Sequence, residues 1–99
     1  MSVEEVEKRI EALLPRAAGL DACIKFDLKG EGVFLVDATE DPVTLSREDE
    51  SADCTITIKS KDLLKMMNGK LDPMLAFSIG KLKVRGDMGL AMKLTKLFD

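Results

Sequence analysis

At the start of the chain apolar residues recur at helical spacing: Val3, Val6, Ile10, Leu13, Leu14 and Ala17, with Glu4, Glu5, Glu7, Lys8, Arg9 and Glu11 between them. This pattern predicts an amphipathic helix packed by one face. Ser2, with Glu5 three residues on, has the form of a capping box, and Pro15 is expected to end or kink the helix near Leu14. The period then falls to two. Ala22, Ile24, Phe26 and Leu28 share one face and Cys23, Lys25, Asp27 and Lys29 the other, followed by "KGEG", a tight hairpin turn. "VFLV" at 33–36 is apolar on both faces, which predicts a strand covered on both sides. "EDP" marks the next turn, before a strand from Val43 to Arg47. In "ADCTITIK", Cys54, Ile56 and Ile58 alternate with Thr55, Thr57 and Lys59, a half-buried strand. Four consecutive strands with short connections read as an antiparallel meander.

Helical spacing then returns. Ser60 is positioned to cap "KDLLKMMN", with Leu63, Leu64, Met66 and Met67 inward and Asn68-Gly69 as the stop. Asp72-Pro73 opens "PMLAFSI", which Gly80 closes. "KLKVR" alternates Leu82 and Val84 against Lys81, Lys83 and Arg85, a fifth strand. Asp87 then caps a terminal helix from Met88 to Phe98, in which only Lys93, Thr95 and Lys96 are clearly polar. The class is α+β: a single domain over residues 1–99, with a five-stranded, mostly antiparallel sheet and helices gathered on a face.

Composition narrows the chemistry. Apolar and charged fractions of 45% and 33% are those of an ordinary globule. The acidic, amphipathic N-terminus is not a signal peptide, so the cytoplasm is the expected location. Cys23 and Cys54 lie outside any C-x-x-C and are expected to be reduced, packed thiols. The sequence contains no His, which removes the usual general base, the commonest neutral metal ligand and the partner of a Ser or Cys nucleophile. Without Trp or Tyr, and with a net charge of −3, nucleic-acid binding is not expected. Charge is lopsided nonetheless, because the segment from Lys59 onward is basic and the segment before it acidic.

Glu48, Asp49, Glu50 and Asp53 form the one dense carboxylate cluster, without the ligand spacing of a calcium loop, so it reads as a solvated turn. "GKLKVRGD" lacks the order of a phosphate-binding loop. No catalytic constellation, metal site or cofactor is expected. Methionine is the unusual signal: apart from Met1, every one lies between Met66 and Met92. Thioethers are flexible and polarizable, suited to apolar partners of variable shape. Helices carrying more apolar surface than one sheet contact needs point to a groove, a cavity or a dimer face.

Taken in order, "ADCTITI", Asp62 before paired apolar residues, "GKLDPMLAF", "GKLKVRGDM" and "LAMKLTKLF" resemble the sterol carrier protein 2 (SCP-2-like) lipid-binding domain. That resemblance implies a five-stranded sheet covered by helices, with an apolar tunnel holding fatty acid, fatty acyl-CoA, sterol or phospholipid. The chain ends "KLFD", not in the S-K-L-type peroxisomal address of some members. Where several relatives carry Gln in the closing helix, Met92 and Thr95 stand here, which suits a plain acyl chain at least as well as a sterol hydroxyl.

The expected function is therefore non-catalytic lipid binding and transfer by a monomer. Candidates for the lining are Phe34, Val36, Met66, Met67, Leu71, Met74, Phe77, Leu82, Val84, Met88, Leu90, Met92, Leu94 and Phe98. Lys81, Lys83 and Arg85 are candidates for an anionic head group or a transient contact with an anionic membrane. The alternative is a protein-interaction or dimerisation module that uses the apolar C-terminal helix.

Overall fold

The computed structural model describes residues 3–98, so Ser2 and its capping box lie outside the described residues. The first helix, α1, runs Val3–Ala17 and buries Val6, Ile10 and Ala17. Contrary to expectation, it continues through Pro15. A proline so near the end forfeits one intrahelical bond. The burial of Ala17 holds the last turn in place, and Leu20 N–H donates to the Ala17 carbonyl at 3.1 Å.

The strands are β1 (Cys23–Asp27), β2 (Val33–Asp37), β3 (Thr44–Ser46), β4 (Cys54–Thr57) and β5 (Lys83–Gly86). They form one five-stranded sheet in the order β3-β2-β1-β4-β5. β1 and β2 make the expected hairpin, with Phe26 opposite Phe34, and β3 adds antiparallel to β2. Phe34 and Val36 enter the core while Leu35 is buried on the other face, so β2 is covered on both sides.

The meander ends there. β4 does not extend the sheet beyond β3. It crosses back to pair in parallel with β1, Phe26 beside Ile56, so the sheet is mixed. Two contacts set that register: Asp53 accepts from Cys23 N–H through its side chain at 2.8 Å, and its own N–H donates to the Cys23 carbonyl at 2.9 Å. Central placement also buries Cys54, Ile56 and Ile58, which an edge position beside the short β3 would leave half in water.

β5 pairs antiparallel with β4, Val84 opposite Ile56, and forms an edge. Its last residue, Gly86, has φ +90°, and a Cβ there would stand 2.4 Å from the Asp53 carbonyl oxygen. Only glycine fits that close approach.

The remaining helices are α2 (Ser60–Met67), α3 (Pro73–Ser78) and α4 (Met88–Lys96). α2 buries Leu63, Leu64, Met66 and Met67, as its pattern predicts. Ser60 is not its cap. Lys59 takes that position without a side-chain hydrogen bond, and Ser60 is the first helical residue, buried, its hydroxyl donating to the Glu31 carboxylate. A hydrogen bond to an ionised acceptor outweighs a neutral cap. Helices and sheet enclose a core centred on Phe26, Phe34, Ile24, Ile56 and Leu63.

Candidate functional site

α3, β5 and α4 stand at one corner of this core, and the two helices are started by the same device. Asp72 accepts from Leu75 N–H at 3.1 Å and Asp87 from Leu90 N–H at 3.0 Å, each a side-chain cap of the first turn. The chain turns back tightly after α3, with Lys81 and Leu82 N–H both donating to the Ala76 carbonyl. This turn places Leu82 and Val84 on the same side as α3 and α4.

Between the three elements lies an open groove of about 100 Å³. It is lined by Pro73, Met74 and Phe77 from α3, Leu82 and Val84 from β5 and its approach, and Met88, Ala91, Met92 and Thr95 from α4. The lining contains no acid and no base. Its one hydroxyl, on Thr95, donates to the Met92 carbonyl at 2.9 Å. Chemically the groove offers apolar contact and nothing else. Met74, Met88 and Met92 are 64%, 46% and 54% exposed.

Of the lining candidates, the structure brings Met74, Phe77, Leu82, Val84, Met88 and Met92 together here. Phe34, Val36, Met66, Met67, Leu90 and Leu94 are buried in the core instead, and Leu71 and Phe98 pack partly buried against it. Met67 and Phe98 also edge a separate cleft beside α1, with Arg9, Leu13 and Arg16. Three lining residues, Pro73, Ala91 and Thr95, are absent from the sequence-based candidates. Their signal was present in the spacing, because 88, 91, 92 and 95 follow the i, i+3, i+4, i+7 row of one helix face. On a helix apolar almost all round, residue type hid the row and drew attention to Leu90 and Leu94.

The structure does not gather the three cations at the groove. Lys83 and Arg85 pair with Thr57 and Thr55 and alternate with Val84, so they point to the opposite face of the sheet. Lys81 borders another cleft, with Lys29, Lys59, Lys61 and Asp62, and its Nζ is 3.8 Å from the buried Asp62 Oδ1. The acidic turn is exposed; within it Asp49 pairs with Lys25 at 2.7 Å and Asp53 accepts from Cys23 N–H. Among the described residues, no three His, Cys, Asp or Glu side chains are grouped to hold a metal ion, and no helix is long and apolar enough to cross a membrane.

The sequence profile of the SCP-2 sterol transfer family matches residues 3–99. The chain belongs to the SCP-2 sterol transfer family. Sterol carrier protein 2 of Oryctolagus cuniculus is 42% identical over 101 residues, an alignment covering 95% of this chain and 18% of the rabbit protein. The chain therefore spans about a fifth of the length of that relative. The solution structure of the sterol carrier protein domain 2 of Helicoverpa armigera matches with a TM-score of 0.69 at 33% identity, over 96% of this chain and 77% of that one. That of palmitated SCP2L2 from Aedes aegypti matches with a TM-score of 0.68 at 27% identity, over 99% of this chain and 95% of that one. The α+β fold with its mixed sheet is that of the family.

Proposed function

We propose that the chain is a non-catalytic lipid-binding and transfer domain, acting as a monomer, that holds an acyl chain between α3, β5 and α4. The observation that carries this reading is a groove walled by apolar side chains and a single threonine, with three methionines held half out of the protein. Thioethers left in water gain by being covered, and their flexibility suits chains of differing length. Burial of each methylene contributes about 0.8 kcal/mol. Family membership and the palmitated Aedes relative support the same ligand class. Thr95 donates its one hydroxyl proton to the Met92 carbonyl, so the lining has no free donor and only the Thr95 oxygen as an acceptor to select a sterol hydroxyl. A fatty acyl ligand, whose chain needs neither, is preferred.

Small-molecule sites usually enclose about 300–1,000 Å³. A groove of about 100 Å³ must therefore widen to take a long chain. The movable wall is α3, in which only Ala76 is buried. Its displacement away from α4 would convert the groove into the tunnel expected of the family.

Met92→Trp tests this. Enlarging a packed residue costs about 1–3 kcal/mol, but Met92 faces open space. The melting temperature of delipidated protein should stay within a few degrees while the affinity for a fluorescent fatty acid falls at least tenfold. Unchanged affinity in a folded variant, or a loss no greater than its unfolding explains, would overturn the assignment.

A further inference from the structure

Met74, Met88 and Met92 reach the groove from two helices, and all three are exposed. Met66 and Met67 on α2 are instead buried in the core, at 3% and 6% exposure. The methionines of the described residues thus divide into a protected pair and an accessible set of three that shares one groove. Exposed thioethers are oxidised to sulfoxides, and packing shields buried ones. Little else in the chain competes for an oxidant. The sequence holds no Trp, Tyr or His, and its only thiols are Cys23 and Cys54. Burial, reinforced by neighbouring carboxylates, pushes both thiols up, so the reactive thiolate is scarce at neutral pH. A thioether carries no proton and needs no such activation.

The chemistry of the groove makes oxidation there consequential. A sulfoxide is a polar hydrogen-bond acceptor where a thioether is apolar. The one side-chain donor of the lining, the Thr95 hydroxyl, already serves the Met92 carbonyl. In the empty groove a sulfoxide oxygen is hydrated. Under an acyl chain it loses that water and finds no partner, and burying an unpartnered acceptor is unfavourable. The thioethers that cover a ligand are therefore the groups whose oxidation expels it.

We propose, resting on the carrier reading of this groove, that Met74, Met88 and Met92 form a reversible oxidation site that sets its lipid affinity, with hydrogen peroxide as the oxidant. A sulfur lone pair attacks one peroxide oxygen, the O–O bond breaks and an S–O bond forms. The departing hydroxide takes the proton of the transferred oxygen and leaves as water. Sulfur is oxidised by two electrons and peroxide reduced by two. A methionine sulfoxide reductase supplied with a dithiol runs the return: the dithiol becomes a disulfide and the sulfoxide oxygen leaves as water. Because Met66 and Met67 stay out of reach in the core, the fold stands while the groove changes.

A peroxide titration tests this, read by peptide mass spectrometry and by the affinity for a fluorescent fatty acid. Met74, Met88 and Met92 should each gain one oxygen before Met66 and Met67 do, and bound palmitate should slow that gain. The oxidised protein should keep its circular dichroism and bind the fatty acid roughly tenfold more weakly or worse. Reductase and dithiol should restore mass and affinity together. Met74→Leu/Met88→Leu/Met92→Leu, whatever its own affinity, should no longer respond to peroxide. Oxidation of the buried pair at the same rate, no protection by palmitate, or a response that survives in the leucine variant would overturn the proposal. So would an affinity loss that only follows unfolding, or one that persists after the sulfoxides are reduced. Equal affinity before and after oxidation would overturn this proposal and leave the carrier reading standing. Failure of the unoxidised protein to bind any fatty acid would overturn both.

Discussion

Met92 sits in mid-helix with half of its surface in water, next to Ala91, which is buried, and Leu94, which is buried too. One residue's turn on the helix decides between wall and core. The two cysteines show the same dependence on position. Cys54 is fully buried in β4 and Cys23 is half-buried in β1. Burial pushes both thiols above the ordinary value of 9.0, with Asp37, Asp53 and Glu50 adding to the effect at Cys23, and Asp87 and Asp53 at Cys54. A group whose folded value is raised adds stability below its unfolded value and loses it as pH rises through the folded one. Stability should thus be insensitive to these thiols up to neutral pH and decline above about pH 9. Cys23→Ser/Cys54→Ala should make that alkaline decline shallower in denaturant titrations. A decline identical to wild type would contradict the assignment. Iodoacetamide should label Cys23 first and reach Cys54 only as the protein unfolds.

Among the elements, α4 is tied down by Asp87 at one end and by the burial of Leu90, Ala91 and Leu94 along its inner face. Asp87→Ala removes a cap worth about 1 kcal/mol. The expected result is a lower denaturation midpoint with secondary structure retained, and faster hydrogen exchange confined to the first turn of α4. Because Met88 and Met92 hang from that turn and the next, fatty-acid affinity should fall with it. A stability change without any change in exchange at residues 88–91 would place the role of Asp87 elsewhere. α3 contrasts with α4. With a single buried residue, its position depends on its cap and on the tight return through Lys81 and Leu82, which is why it can serve as the wall that moves. In α1, Pro15 shows the reverse, a local breaker overruled by the packing of Ala17.

For the whole molecule, ligand binding and folding are one equilibrium. A ligand bound only by the native state at a hundred times its Kd adds about 2.7 kcal/mol of stability. For a domain of this size, that should raise Tm by roughly 10 °C or more. Palmitate should produce this shift in wild type and lose most of it in Met92→Trp. Equal shifts in the two would mean that the chain binds outside the groove. Periodicity determined the elements, because burying one face imposes spacings of two or 3.6 residues wherever the chain is, and the caps at Asp72 and Asp87 need only local chain. The tally of methionines was likewise a property of the sequence alone. Strand order was not. The parallel seat of β4 rests on Asp53 meeting Cys23, residues thirty positions apart, and on the burial gained at the centre of the sheet. The same is true of the site. Lys83 and Arg85 turn away from the groove because Val84 must face it, and Leu90 and Leu94 leave the lining because the core takes that side of α4. An apolar residue has the same affinity for core and for ligand, so only the three-dimensional arrangement of its neighbours assigns it to one or the other.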